Sequence, residues 1–161
     1  ILLSRLMVRF CGGRSRGDFL NKLAFKEYNS RYGEMKTGHE WLSRDASSYE
    51  GVDDDPATSF VFTNAGFRDL FQLLYSVTGR KWSEKIPADL PILFLSGDMD
   101  PVGQFGKGVR KVYTLVKDSG VRDVTLKLYP GARHELHHET NKDEFLEDVV
   151  AWMENHMEER R

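Results

Sequence analysis

The hydrophobic pattern is irregular in the first half of the chain and regular in the second. In ILLSRLMVRF, Leu2, Leu3, Leu6 and Phe10 recur at helical spacing while Arg5 and Arg9 fall on another face, which predicts a short helix. The segment CGGRSRGD breaks it, and Phe19, Leu20, Leu23 and Phe25 predict a second short helix. Residues 28–57 are polar and turn-rich, with Trp41 and Leu42 as apolar anchors and the acidic run Asp53, Asp54, Asp55 before Pro56. So long an irregular stretch is uncommon inside a compact domain unless it is a lid or a binding loop.

From Thr58 to Thr78 the apolar residues Phe60, Phe62, Phe67, Leu70, Phe71, Leu74 and Val77 fit a helix stopped by Gly79. Pro91 then opens PILFLSG, a continuous apolar run of the kind that forms a strand buried on both faces. A helix follows, with Val109, Val112, Leu115 and Val116 on one side and Gly120 at its end. DVTLKLY (residues 123–129) alternates as a second strand and stops at Pro130-Gly131. Asn141, with Glu144 three residues on, reads as a capping box. It opens a last helix whose apolar face holds Phe145, Leu146, Val149, Val150, Trp152 and Met153. Strand, helix, strand, helix predicts a parallel sheet in an α/β fold. Two parallel strands do not make a stable sheet alone. The expectation is therefore the C-terminal part of a larger α/β domain.

Composition narrows the class. The 161 residues carry 23 Lys+Arg against 25 Asp+Glu, a formal net charge of −2, so the basic stripe of a nucleic-acid binder is missing. A mean hydropathy of −0.51 and no long apolar run argue against a transmembrane segment. Cys11 is the lone cysteine, which excludes an intrachain disulfide and favours a reducing, cytoplasmic setting. The chain opens on Ile1 with no signal-like segment, which reads as a start lost upstream.

Two loops carry candidate chemistry. In SGDMDPVG, Asp98 and Asp100 follow the first strand, where open α/β sheets place functional side chains; the competing reading is a pair of turn-forming aspartates. In YPGARHELHHE, His134 follows the second strand, 34 residues after Asp100. An acid followed by a histidine is the order of the last two members of a Ser, Asp, His triad, whereas a lone histidine is as well explained as structural. Two further motifs read as fortuitous. Gly13-Arg14-Ser15-Arg16-Gly17 spells G-x-S-x-G, but a nucleophile elbow needs a buried strand before the serine, and Arg5 and Arg9 interrupt the candidate. His134-Glu135-Leu136-His137-His138 spells H-E-x-x-H, but the zinc motif needs a helix there and the next one starts near Asn141. No cofactor and no metal are expected.

From about Tyr28 to Trp152 the chain resembles the C-terminal half of a serine α/β-hydrolase of the monoacylglycerol lipase and lysophospholipase type. The stretches that carry the resemblance are WLSRD (residues 41–45), Asp55-Pro56, PILFLSGDMDPVG (91–103) and LKLYPGARHELHHE (126–139). The resemblance implies that Asp100, the acid of G-x-x-D at Gly97–Asp100, orients His134. It also implies that residues 1–88 form a lid-like helical region and residues 89–161 the end of the hydrolase core. The nucleophile, the oxyanion loop and the first strands would lie upstream. The substrate would be a lipid-like ester, and the aromatic residues Phe60, Phe62, Phe67 and Phe71 would be either core packing or a wall of the lipid pocket. The rival expectation is a non-catalytic module whose exposed sheet edge serves self-association or pairing with the missing N-terminal half.

Overall fold

The computed structural model describes residues 1–33, 36–78 and 80–158. The helix stop expected at Gly79 lies outside the described residues. The chain divides into two compact units, residues 1–27 with 51–82 and residues 28–50 with 83–161.

The first unit is helical. α1 (Leu2–Cys11) and α2 (Asp18–Phe25) match the two predicted short helices, and α3 spans Asn64–Val77. α3 starts later than the apolar pattern suggests because Thr63 is its N-cap: the hydroxyl accepts the Gly66 N–H at 3.1 Å, satisfying one of the open donors of the first turn. Arg16 and Thr63 form an antiparallel bridge, and the Gly17 N–H donates to the Phe62 carbonyl at 2.9 Å. Only glycine fits there, since a Cβ on Gly17 would lie 2.7 Å from the ring of Phe67. Phe67 is fully buried and is flanked by Phe62 and Phe71 at ring-centroid distances of 5.6 and 5.8 Å. Phe60 and Phe62 themselves remain exposed. The aromatic cluster thus divides between the core of this unit and its surface.

The second unit carries the sheet. β1 (Ile92–Gly97) and β2 (Val124–Tyr129) pair in parallel, in register from Ile92–Val124 to Gly97–Tyr129. α4 (Lys107–Asp118) connects them, and α5 (Lys142–Glu158) closes the unit. The strongly apolar β1 is half-buried along Ile92–Leu95, not enclosed on both faces, because among the described residues the sheet has two strands. The core of the unit is Tyr129, Ala132 and Leu136, with Leu95 and Phe145 packed against it. On α5, Leu146, Val150, Met153 and Met157 are exposed. Asn141 immediately precedes α5, and its amide donates to the Glu144 carboxylate three residues on at 3.0 Å. Residues 28–50 contribute a 3-10 turn, Ala46–Tyr49, and pack in this unit.

Candidate functional site

The parallel register sets the site. Gly97 and Tyr129 are partners at the carboxyl ends of β1 and β2, so the loops that follow emerge side by side. They are also stitched together. The Asp98 N–H donates to the Tyr129 carbonyl at 3.1 Å, and the Met99 N–H to the Ala132 carbonyl at 3.0 Å. This close approach requires glycine at Gly97, where a Cβ would stand 2.0 Å from the Ala132 carbonyl oxygen. Asp98 turns its carboxylate into the neighbouring loop and accepts the Gly131 N–H at 2.7 Å. It is a pin between loops.

Asp100 is buried at 7% exposure. Its Oδ1 accepts the Val102 N–H at 2.8 Å and lies 3.2 Å from Nδ1 of His134. A carboxylate only accepts, so Nδ1 carries the proton and Nε2 is left as the free basic nitrogen. The hydrogen bond to Asp100 raises the His134 pKa above its ordinary 6.5, against the opposing effect of burial; the charges of Asp100 and Glu135 add to the rise.

The second face of the imidazole is set by residues 28–50. Trp41 packs on the His134 ring at 5.1 Å between centroids, and Tyr28 meets Trp41 edge-on at 5.0 Å. The backbone is tied to the same segment: the His134 N–H donates to the Trp41 carbonyl at 3.4 Å and the Glu135 N–H to the Leu42 carbonyl at 2.8 Å. Tyr32 donates its hydroxyl to the Met99 carbonyl, and burial pushes its pKa up to about 12.

A buried carboxylate anchors the far end of the histidine loop. Glu139 is 2% exposed. It accepts the Arg133 N–H at 2.7 Å and the Arg44 Nε–H at 2.7 Å, with the Arg44 and Thr140 amides at 3.2 Å. Ser43 donates to the His138 carbonyl at 2.8 Å, and the Arg133 guanidinium donates to the Ser43 carbonyl at 2.9 Å. Arg44, Ser43 and Glu139 lie in stretches conspicuous in the sequence, yet no local signal linked residues 95 positions apart. A cavity of about 370 Å³ opens beside this network, lined by residues that include Tyr32, Glu40, Arg44, Tyr49 and Arg133. Neither Asp100 nor His134 lines it, so it is separate from the acid–base pair.

Ser15 stands elsewhere, in the helical unit. It is exposed, follows α1 and not a strand, and donates its hydroxyl to the Cys11 carbonyl at 2.7 Å. The H-E-x-x-H spelling is not helical either, because Leu136–His138 is a 3-10 turn. His134 is committed to Asp100, while His138 faces Glu135 at 2.7 Å. Among the described residues, no helix is long and apolar enough to cross a membrane.

The chain has relatives in sequence and in fold. Residues 8–141 match the family model for the serine aminopeptidase S33 hydrolases. A Schizosaccharomyces pombe protein named "Putative monoglyceride lipase" is 30% identical over 118 residues, 71% of this chain and 29% of that protein. A thermostable carboxyl esterase from Bacillus coagulans, solved with glycerol, superposes with a TM-score of 0.82 at 26% identity, over 95% of this chain and 50% of the esterase. The monoacylglycerol lipase of Paleococcus ferrophilus shares the fold at a TM-score of 0.55 and 20% identity, over 89% of this chain and 54% of the lipase. The chain therefore spans about half the length of these solved relatives.

Proposed function

This chain belongs to the serine aminopeptidase S33 family of α/β-hydrolases, and on that premise we propose that it supplies the acid–base half of a serine hydrolase acting on carboxylic esters of lipid type. The observation that carries the proposal is the 3.2 Å approach of Asp100 Oδ1 to His134 Nδ1 at the shared carboxyl edge of β1 and β2. His134 Nε2 takes the proton of an attacking serine and returns it to the leaving alcohol. Asp100 holds the imidazole in the required tautomer and stabilises the imidazolium. The nucleophile and the oxyanion donors are assigned to the part of the relatives' length that this chain does not span, and Ser15 is given no role. A monoacylglycerol or a lysophospholipid is the proposed substrate, in keeping with the lipase relatives. Helices α1, α2 and α3 are proposed to belong to its lid, and the free Cys11 suits a cytoplasmic setting.

A second reading is supported by the exposed apolar residues Leu146, Val150, Met153 and Met157 on α5. They suit a module that associates with itself or with the N-terminal half of a hydrolase. Mixing the chain with that upstream half and assaying ester hydrolysis tests the first reading; size-exclusion chromatography of the chain alone tests the second.

A further inference from the structure

The turn that follows His134 presents a second arrangement of ligating groups. Among the described residues, Glu135, His137 and His138 offer one carboxylate oxygen and two imidazole nitrogens, all within 4.8 Å of one another. The backbone explains the convergence. Leu136–His138 is a 3-10 turn, and in that geometry residues three apart eclipse, so Glu135 and His138 project from the same side. Glu135 Oε2 already lies 2.7 Å from His138 Nδ1, and the rings of His137 and His138 stand 4.0 Å apart.

The turn is held on both sides while its ligand atoms stay accessible. The Glu135 N–H is fixed to the Leu42 carbonyl, the His138 N–H to the Glu135 carbonyl at 2.9 Å, and Leu136 is buried in the core. Glu139, the next residue, is pinned by Arg44. By contrast, the His138 side chain is 44% exposed and that of Glu135 29% exposed. A tetrahedral ion with ligand bonds of about 2.0–2.1 Å needs donors about 3.3 Å apart. Partly exposed side chains on a fixed turn reach that spacing by small rotations, without moving the backbone.

We propose that Glu135, His137 and His138 form a binding site for a divalent first-row transition ion, Zn²⁺ being the natural occupant. Two imidazoles and one carboxylate select ions of borderline softness over Mg²⁺ or Ca²⁺, which prefer all-oxygen sites. The remaining positions on the ion are left to water, so binding is reversible and open to chelators. The ligand set differs from that of H-E-x-x-H, since His134 takes no part.

The test is calorimetric titration of the chelator-treated 161-residue chain with zinc chloride. One equivalent is expected, with affinity falling at least tenfold in His137→Ala, in His138→Ala and in Glu135→Gln. Cys11→Ser and His39→Ala should bind as the parent chain does. Zinc affinity unchanged in His137→Ala and His138→Ala, or lost in Cys11→Ser or His39→Ala, overturns the site; so does equal binding of Mg²⁺. A readout on the parent chain covers variants that fail to fold. Substoichiometric Cu²⁺ should broaden the backbone amide resonances of Glu135, Leu136, His137 and His138 before any others, and broadening first at another segment overturns the proposal.

Discussion

Asp100 and His134 meet across the carboxyl ends of two neighbouring parallel strands, carboxylate oxygen to Nδ1 at 3.2 Å. The contact is made by position as much as by affinity. The Gly97–Tyr129 register delivers the two loops together, Asp98 and Gly97 lock them, and Trp41 backs the ring.

The acid–base pair predicts a titration. The hydrogen bond to Asp100 favours the imidazolium, so the His134 pKa lies above 6.5. A raised folded-state pKa contributes stability that is fully present below 6.5 and is lost as pH rises through the folded value. Ring-resonance NMR titration should place His134 above 6.5, and Asp100→Asn should bring it down. Urea midpoints of the parent and Asp100→Asn chains should differ most on the acid side and converge as pH rises. Convergence on the acid side instead would show that the pair contributes nothing to the titration.

The loop interlock predicts an intolerant glycine. Gly97→Ala forces a Cβ to within 2.0 Å of a backbone oxygen, which no side-chain rotation relieves. The cost should reach or exceed the roughly 1–3 kcal/mol of an overpacked core site. Thermal denaturation followed by circular dichroism measures it, and an unchanged midpoint would show that the loops part easily.

The buried anchor predicts a large loss at a distance from the pair. Glu139→Ala strips a charge partner from Arg44 and an acceptor from the amides of Arg133, Arg44 and Thr140. The Arg44 side chain keeps 32% exposure, so the charge left behind is partly solvated and the loss should lie near the roughly 1.5–3 kcal/mol of hydrogen bonds to a charged group. Chemical denaturation of the variant gives the number directly.

Glu40 predicts a second pH dependence with the opposite sign. Burial pushes its carboxyl up, but hydrogen bonds from the amides of Thr37 and Lys36 and from the Thr37 hydroxyl hold it down at about 2, from 4.5. A depressed pKa contributes stability that is present above 4.5 and is lost as pH falls towards 2. Glu40→Gln should cost about 1.5–3 kcal/mol near neutrality, the value of hydrogen bonds to a charged group, and flatten the acid limb of a stability–pH curve.

The legible parts of the fold were those written in local pattern. The apolar run from Ile92 to Leu95 and the periodic face of α4 identify themselves because burial and period act over a few residues. The start of α3 did not, since Phe60 and Phe62 continue an apolar pattern that the Thr63 cap interrupts. Asp98, Asp100 and His134 came forward together because strand ends are where parallel sheets place side chains, and the resemblance, not that rule, singled out Asp100 over Asp98. Glu139, Arg44 and Trp41 were not, because their partners lie far along the chain and no spacing rule reaches that distance. The Glu135–His137–His138 cluster escaped for a different reason: the period expected of metal-binding histidines is helical, whereas this turn repeats in three.

The proposed function makes its sharpest claim about what the chain does alone. Ester hydrolysis by this mechanism needs a nucleophile, a base and an oxyanion hole, and His134 with Asp100 provides the base and its orienting acid. Enzymes stripped of triad members keep some 10³–10⁴-fold catalysis over water, which comes from the oxyanion hole and substrate binding. With the oxyanion donors assigned elsewhere, that remainder should vanish too. The 161-residue chain is therefore expected to hydrolyse no ester, and a fluorophosphonate probe should leave Ser15, hydrogen-bonded to the Cys11 carbonyl after a helix, unlabelled. Adding the upstream half should restore both activities, with the label on a serine of that half, and His134→Ala should abolish the gain. Labelling of the chain alone that disappears in Ser15→Ala would return the nucleophile to the helical unit. Soluble, folded halves that associate without activity would leave the exposed face of α5 as the functional surface, and the acid–base pair as a relic of the fold.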